Sequence, residues 1–267
     1  MARAQPTIYL PHGAGPCFFM DWTMSAPDTW DRMARWLRDL PETLPEEPKA
    51  LLVVSAHWEE AQPTVSSSPA PELLFDYSGF PPHTYELTWP APGAPTLAER
   101  IRELLGSHGF APREDAARGL DHGVFVPLKV AFPRAHIPTL QVSLMNHLDA
   151  EAHIAMGRAL APLRDEGVLI VGSGMSYHNM QGFMRPPSKT ESAAFDGWLA
   201  DTVAAPPAER SARLTRWQEA PAARACHPRE EHLLPLLVCA GAAEDAAGER
   251  IYRDEVLGVV VAAHRFA

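Results

Sequence analysis

The chain has 267 residues, 23 basic and 33 acidic side chains, and a formal charge of −10. That acidic balance excludes the counterion-displacing surface of a nucleic-acid binder and the basic patch of a protein held to anionic lipid. A hydrophobic content of 46% is ample for a folded core. No apolar run approaches the roughly 20 residues of a membrane span, and Met1–Pro11 lacks the long apolar stretch of a signal peptide. Cys17, Cys226 and Cys239 form no CxxC pair, which excludes a disulfide framework and an all-cysteine zinc site. The expectation is a soluble, cytoplasmic globular protein with no nucleic-acid or membrane partner; a homo-oligomer is left open.

Taken in chain order, residues Thr7–Leu10 read as a short apolar strand ending in Pro11-His12-Gly13. Apolar residues at helical spacing (Trp30, Met33, Trp36, Leu37) predict a helix over Asp28–Leu40, followed by a proline-rich connector over Pro41–Pro48. The continuous apolar run Ala50–Ala56 predicts a strand buried on both faces. Ser66–Pro95 is rich in proline, glycine and aromatics with weak periodicity, a length at which irregular chain usually either carries function or is disordered, and its aromatics favour order. Helices follow at Leu97–Ser107, with Gly109 as its stop, and at His122–Val130. Pro138–Leu144 is a predicted strand, Ala150–Arg164 a helix, and Val168–Gly172 a second buried strand. Helices over Lys189–Ala204, Glu209–Trp217 and Glu230–Ala240 lead to a closing strand over Glu255–Ala262. Strands alternating with helices imply an α/β fold. With no internal repeat and no linker, residues 1–267 read as a single domain with a central, mostly buried mixed sheet flanked by helices.

Histidines mark the positions where chemistry concentrates. His12 and His57 each follow the end of a predicted strand, and His178 lies shortly after a third. Ligands in open α/β sheets bind outside the carboxyl ends of the strands, so the expectation is that three imidazoles point into one crevice. His122 opens a helix after Gly119-Leu120-Asp121. Of His227 and His232, at most one belongs to a site: their five-residue spacing does not share a helix face, and Pro228 disfavours helix at 227. His83, His108, His136, His147, His153 and His264 lack such settings and are assigned to surface or ordinary loops. Imidazole suits zinc, iron, copper and nickel, and the spacing does not choose among them. Glu230 and Glu231 beside His232 are candidate carboxylate ligands or simply helix N-terminal charge. Nucleophile-based alternatives fare worse. Val171 and Met175 occupy the glycine places of a GxSxG elbow around Ser173, there is no phosphate-binding glycine loop, and Cys17 is a weak thiolate candidate.

Six ordered motifs carry a resemblance. They are His12-Gly13-Ala14-Gly15; Ser55-Ala56-His57-Trp58-Glu59; the stretch from Gly79-Phe80-Pro81-Pro82 through Tyr85-Glu86-Leu87 to Pro90-Ala91-Pro92-Gly93; Gly119-Leu120-Asp121-His122-Gly123; Gly172-Ser173-Gly174 with His178-Asn179; and Pro228 through Glu231-His232 to Pro235-Leu236. Together, over positions 12 to 236, they resemble the DOPA-dioxygenase type of extradiol ring-cleaving dioxygenase, within the class III (protocatechuate 4,5-dioxygenase) superfamily. The resemblance implies a mononuclear non-haem metal, Fe(II) when active and Zn(II) in isolated protein. It implies His12, His57 and His232 as metal ligands, His178 as the acid/base histidine, and His122 as a contact to substrate or oxygen. The implied reaction opens a catechol, DOPA-like or otherwise substituted, with O2. Pocket walls are expected from residues 75–93, with Tyr85 there and Arg185 as substrate contacts, Arg185 facing a carboxylate. A zinc hydrolase on the same histidines, and a non-catalytic binding protein of the same fold, are the competing expectations.

Overall fold

A computed structural model describes residues 4–267. Its strands are β1 (Thr7–Pro11), β2 (Ala50–Ser55), β3 (Glu59–Glu60), β4 (Thr64–Ser66), β5 (Arg113–Asp115), β6 (Thr139–Gln141), β7 (Leu144–Met145), β8 (Val168–Gly174), β9 (Gly248–Val256) and β10 (Val259–Phe266). Its helices are α1 (Asp31–Asp39), α2 (Pro95–Ser107), α3 (His122–Ala131), α4 (Ala150–Leu160), α5 (Pro186–Ala204), α6 (Pro207–Thr215), α7 (Ala223–Cys226) and α8 (Leu234–Ala242). Six strands form one mixed sheet in the order β6-β2-β8-β1-β10-β9. The first four run parallel; β10 and β9 close it antiparallel. The α/β class and the flanked, buried sheet agree with expectation.

The centre of the sheet is buried because its strands carry no solvent face: every residue of β1, β2 and β8 is buried. Side-chain alternation divides the two helix layers. Gly172 and Gly174 of β8 face α8 and the turn before it: a Cβ on Gly174 would lie 2.1 Å from the His232 carbonyl oxygen. Ser173 points the other way and donates its hydroxyl to the Gly123 carbonyl in α3. Among the described residues no helix is long and apolar enough to cross a membrane.

Several predicted boundaries move, each for a local reason. The predicted closing strand straddles a tight turn, because Leu257 (φ 50°) and Gly258 (φ 75°) reverse the chain between β9 and β10. Two consecutive positive φ values are those of a type I′ hairpin turn, which Leu disfavours, so the sequence gives little sign of it. Strand β9 went unpredicted because it is a sheet edge of mostly charged residues. The predicted helix over Glu230–Ala240 begins only at Leu234, with Pro235 in its first turn, leaving His232 on the preceding turn. Pro138–Leu144 divides into β6 and the start of β7.

His153 and His264 are fully buried rather than superficial, and so is His227. His227 Nε2 donates to the Ser176 carbonyl (3.0 Å), while His153 Nε2 accepts from the Met145 amide (3.1 Å). Neither ring nitrogen of His264 finds a hydrogen-bond partner in the protein. Burial pushes His227 and His264 down to about 3 and His153 down to about 4. Between those values and the ~6.5 of an unfolded histidine, the unfolded chain binds more protons than the folded one. Stability is therefore fully present above that window and is lost as pH falls through it, by up to about 1.4 kcal/mol per pH unit for each histidine. His264→Leu should raise the urea midpoint near pH 5 and flatten its dependence between about pH 5 and 6.5. An unchanged pH slope would contradict the buried, neutral state of His264.

Candidate active site and metal centre

The site forms where the parallel strands end together. Pro11 of β1 pairs with Gly174 of β8, and Ser55 of β2 with Ser173. Pairing continues one residue further on each side: His12 N–H donates to the Gly174 carbonyl (3.1 Å) and Ala56 N–H to the Ser173 carbonyl (3.0 Å). His12 and His57 thus leave the sheet at one level. Helix α3 brings His122 in at its first position. Gly123 allows this close approach, since a Cβ there would stand 2.5 Å from Ser55 Oγ and 3.0 Å from the His57 ring. The turn before α8 adds His232, anchored through its carbonyl by Tyr9 Oη–H (2.7 Å).

The result is a cluster of five imidazoles. Ring centres of His12, His57 and His232 form a near-equilateral triangle of 4.9, 4.9 and 5.3 Å. His122 lies 4.0 Å from His57 and 5.3 Å from His12, and His178 stacks on His232 at 3.3 Å. Ligating atoms of His12, His57 and His122 lie within 4.8 Å of one another, as do those of His178, Glu231 and His232. All five histidines line one cavity of about 440 Å³.

Carboxylates hold the rings from behind. Glu231 Oε1 accepts from His232 Nδ1 (2.8 Å) and His178 Nδ1 (3.1 Å). Arg229 forks onto Glu59 (2.5 and 2.6 Å) and reaches Glu231 Oε2 (3.4 Å), joining the turn of His57 to that of His232. Asp76 Oδ1 accepts from His122 Nδ1 (2.7 Å) and from the His122 amide (3.0 Å). Asp121 accepts from Ser55 Oγ (2.7 Å), whose oxygen accepts the His57 amide (3.2 Å). Burial acts to raise Glu231, but the hydrogen bonds from His178 and His232 outweigh it and hold the carboxyl well below its usual range. Asp76 is lowered by the same competition with His122. Burial lowers His12 and His57 well below the ordinary histidine value and pushes His232 down to about 4, against the opposing effect of Glu231. Neutral imidazoles are lone-pair donors.

That donor set fits a divalent metal. Nε2 of His12 and of His57 face each other at 3.2 Å. Two nitrogens each about 2.1 Å from a tetrahedral ion would be separated by about 3.4 Å. His232 Nε2 is buried with no hydrogen-bond partner, while its Nδ1 rests on a carboxylate, the usual outer arrangement of a metal-bound histidine.

The sequence-predicted residues divide clearly. His12, His57, His122, His178 and His232 are brought together. Tyr85 and Arg185 are not at the cavity: the Tyr85 hydroxyl oxygen accepts from the Phe80 amide (3.4 Å), and Arg185 is exposed at the start of α5. From the 75–93 segment it is Tyr77 and Phe80 that line the cavity. Cys17 Sγ accepts the Ala14 amide (3.3 Å), and burial pushes its thiol up to about 12, so it is no thiolate. Asp76 was missed altogether. The only sequence signal for it is its place in the long irregular segment.

Comparisons with known proteins give the family of the chain. Residues 6–262 match the family described as the catalytic LigB subunit of aromatic ring-opening dioxygenase. A 4,5-DOPA dioxygenase extradiol from Beta vulgaris is 43% identical over 213 residues, 78% of each chain. The dioxygenase tasH from Hapsidospora irregularis is 37% identical, covering 95% of this chain and 83% of its own. A crystal structure of an uncharacterized protein from Escherichia coli K12 superposes with a TM-score of 0.78 at 27% identity, covering 98% of this chain and 100% of that one.

Glu231→Gln should weaken metal affinity about 10–100-fold, read by chelator competition, because it keeps one acceptor oxygen but removes the negative charge behind His232. Unaltered affinity would mean that the Glu231 charge does not tune His232 as a donor.

Proposed function

The chain belongs to the LigB family of aromatic ring-opening dioxygenases and is an extradiol ring-cleaving enzyme; from that premise we propose that it opens a catechol ring with O2 to a muconic semialdehyde, residues 1–267 acting as one catalytic domain. The observation that carries this is the convergence of five histidines on one largely apolar cavity large enough for an aromatic ring. His12, His57 and His232 would hold the metal, Fe(II) for turnover and Zn(II) in isolated protein. When bound, Fe(II) supplies Lewis acidity toward the catechol hydroxyls and a route for electrons from ring to O2.

The protein's own groups supply proton handling and orientation. His178 has its Nδ1 on Glu231, so Nε2 is the nitrogen that takes a catechol proton and later returns it. His122 has its Nδ1 on Asp76, which fixes the ring and leaves Nε2 to hydrogen-bond substrate or oxygen. Tyr77 turns its hydroxyl away, onto the Thr84 carbonyl (2.6 Å), and packs its ring 5.8 Å from His122 as an apolar wall.

The test is anaerobic reconstitution with Fe(II), then oxygen with a catechol panel, following oxygen uptake and the yellow ring-fission product. Oxygen-dependent product that is lost in His57→Ala is expected. A stoichiometrically loaded protein that consumes no catechol would overturn the reading. His178→Ala should lower kcat about 10²–10⁴-fold with metal content unchanged; full turnover would remove it from the acid/base role. Asp76→Ala should lower turnover by acting through His122, again with metal retained.

A further inference from the structure

We propose that the preferred substrate is a catechol bearing an uncharged apolar substituent, an alkyl chain or second ring, gripped at the cavity mouth by Met24, Met180 and Met184. This rests on the catechol-cleaving reading above.

Size argues first. A cavity of about 150 Å³ accommodates benzene. The 440 Å³ here is large enough for a ring and a sizeable substituent. Charge argues next. Beyond the histidines, the lining contains no Asp, Glu, Lys or Arg. Trp22, Trp30 and Phe80 form much of the wall, and the Trp22 indole N–H is turned onto Ser25 Oγ (2.7 Å). A carboxylate or ammonium on the substituent would lose water there with no side chain of opposite fixed charge among Asp, Glu, Lys and Arg to replace it. Arg185, expected to meet such a carboxylate, is exposed and does not line the cavity.

The rim argues independently. Among the described residues the exposed large hydrophobics are Met24, Met180 and Met184, at 55%, 72% and 62%, and all three line this cavity. Methionine is flexible and polarisable, suited to moulding over an apolar group. Met184 is also held in the left-handed region (φ 61°), its amide bonded at 2.8 Å to the carbonyl of Leu257, itself at φ 50°. Such backbone is unfavourable for both side chains and is retained where the surroundings demand it. Here both residues line the cavity.

The experiment uses Fe(II)-loaded enzyme and a series of 4-methyl-, 4-ethyl-, 4-propyl- and 4-butylcatechol beside DOPA and protocatechuate. Anaerobic affinities are measured in parallel by quenching of tryptophan fluorescence. Each added methylene should raise kcat/KM and affinity about fourfold, with 4-butylcatechol well above DOPA and protocatechuate. Met180→Lys, at a highly exposed position, should flatten the chain-length series and improve protocatechuate. Met184→Gly removes the side chain while keeping a residue at ease with positive φ, and should flatten the series without loss of thermal stability. A flat or falling series, or DOPA or protocatechuate preferred, overturns this inference while the dioxygenase reading stands. A rising series unaffected by both variants overturns the methionine grip. Failure to consume any catechol overturns the dioxygenase reading, and this inference with it.

Discussion

Three parallel strands ending in step are the constraint on which everything else depends. Parallel neighbours lie about 4.8 Å apart, so residues leaving β1 and β2, on either side of β8, emerge about 10 Å apart, a gap that two facing imidazoles close. The backbone bonds from His12 to Gly174 and from Ala56 to Ser173 extend that register to the last residue before the chain turns away. Glycine on β8 then lets the His232 turn settle directly against the strand. His12 and the turn carrying His57 are thereby tied by backbone hydrogen bonds to rigid strands, and positions fixed close to rigid elements are the more accurate ones.

Electrostatics complete what the backbone begins. Imidazoles crowded this closely cannot all carry charge, and burial drives those of His12, His57 and His232 to the neutral form. The negative charge sits one layer back, on Asp76 and Glu231. Their oxygens hold the Nδ1 side of the rings and turn the Nε2 side toward the cavity. Burial and the crowding of the rings disfavour protons on the donors in front, while the charge behind would compensate a bound cation. The wall opposite is almost purely apolar, so polar chemistry is confined to one end of the pocket.

Much of this was legible in the sequence because the informative features are local. Continuous apolar runs identify β1, β2 and β8, and the histidines that follow them are read from position alone. What escaped depends on contacts remote in sequence. Asp76 lies in a segment without periodicity, and only the fold brings it to His122 across 46 positions. Glu231 reads equally well as helix-terminal charge until the helix is seen to begin at Leu234. His264 looks superficial because nothing nearby in sequence shows that β9 and β10 enclose it. Tyr85 and Arg185 were attractive on chemistry, yet side-chain direction, which sequence does not specify, takes them elsewhere.

The cluster draws on both ends of the described chain, since His12 and His232 are 220 positions apart. An ion shared between them would act as a cross-link closing a very long loop, and its constraint on the unfolded chain grows with the logarithm of loop length. It would also impose an order on biosynthesis. His12 leaves the ribosome long before His232, so a full donor set does not exist until α8 is being made. Metal capture at this centre would then follow the arrival of the last donor, rather than seed the folding of the first strands.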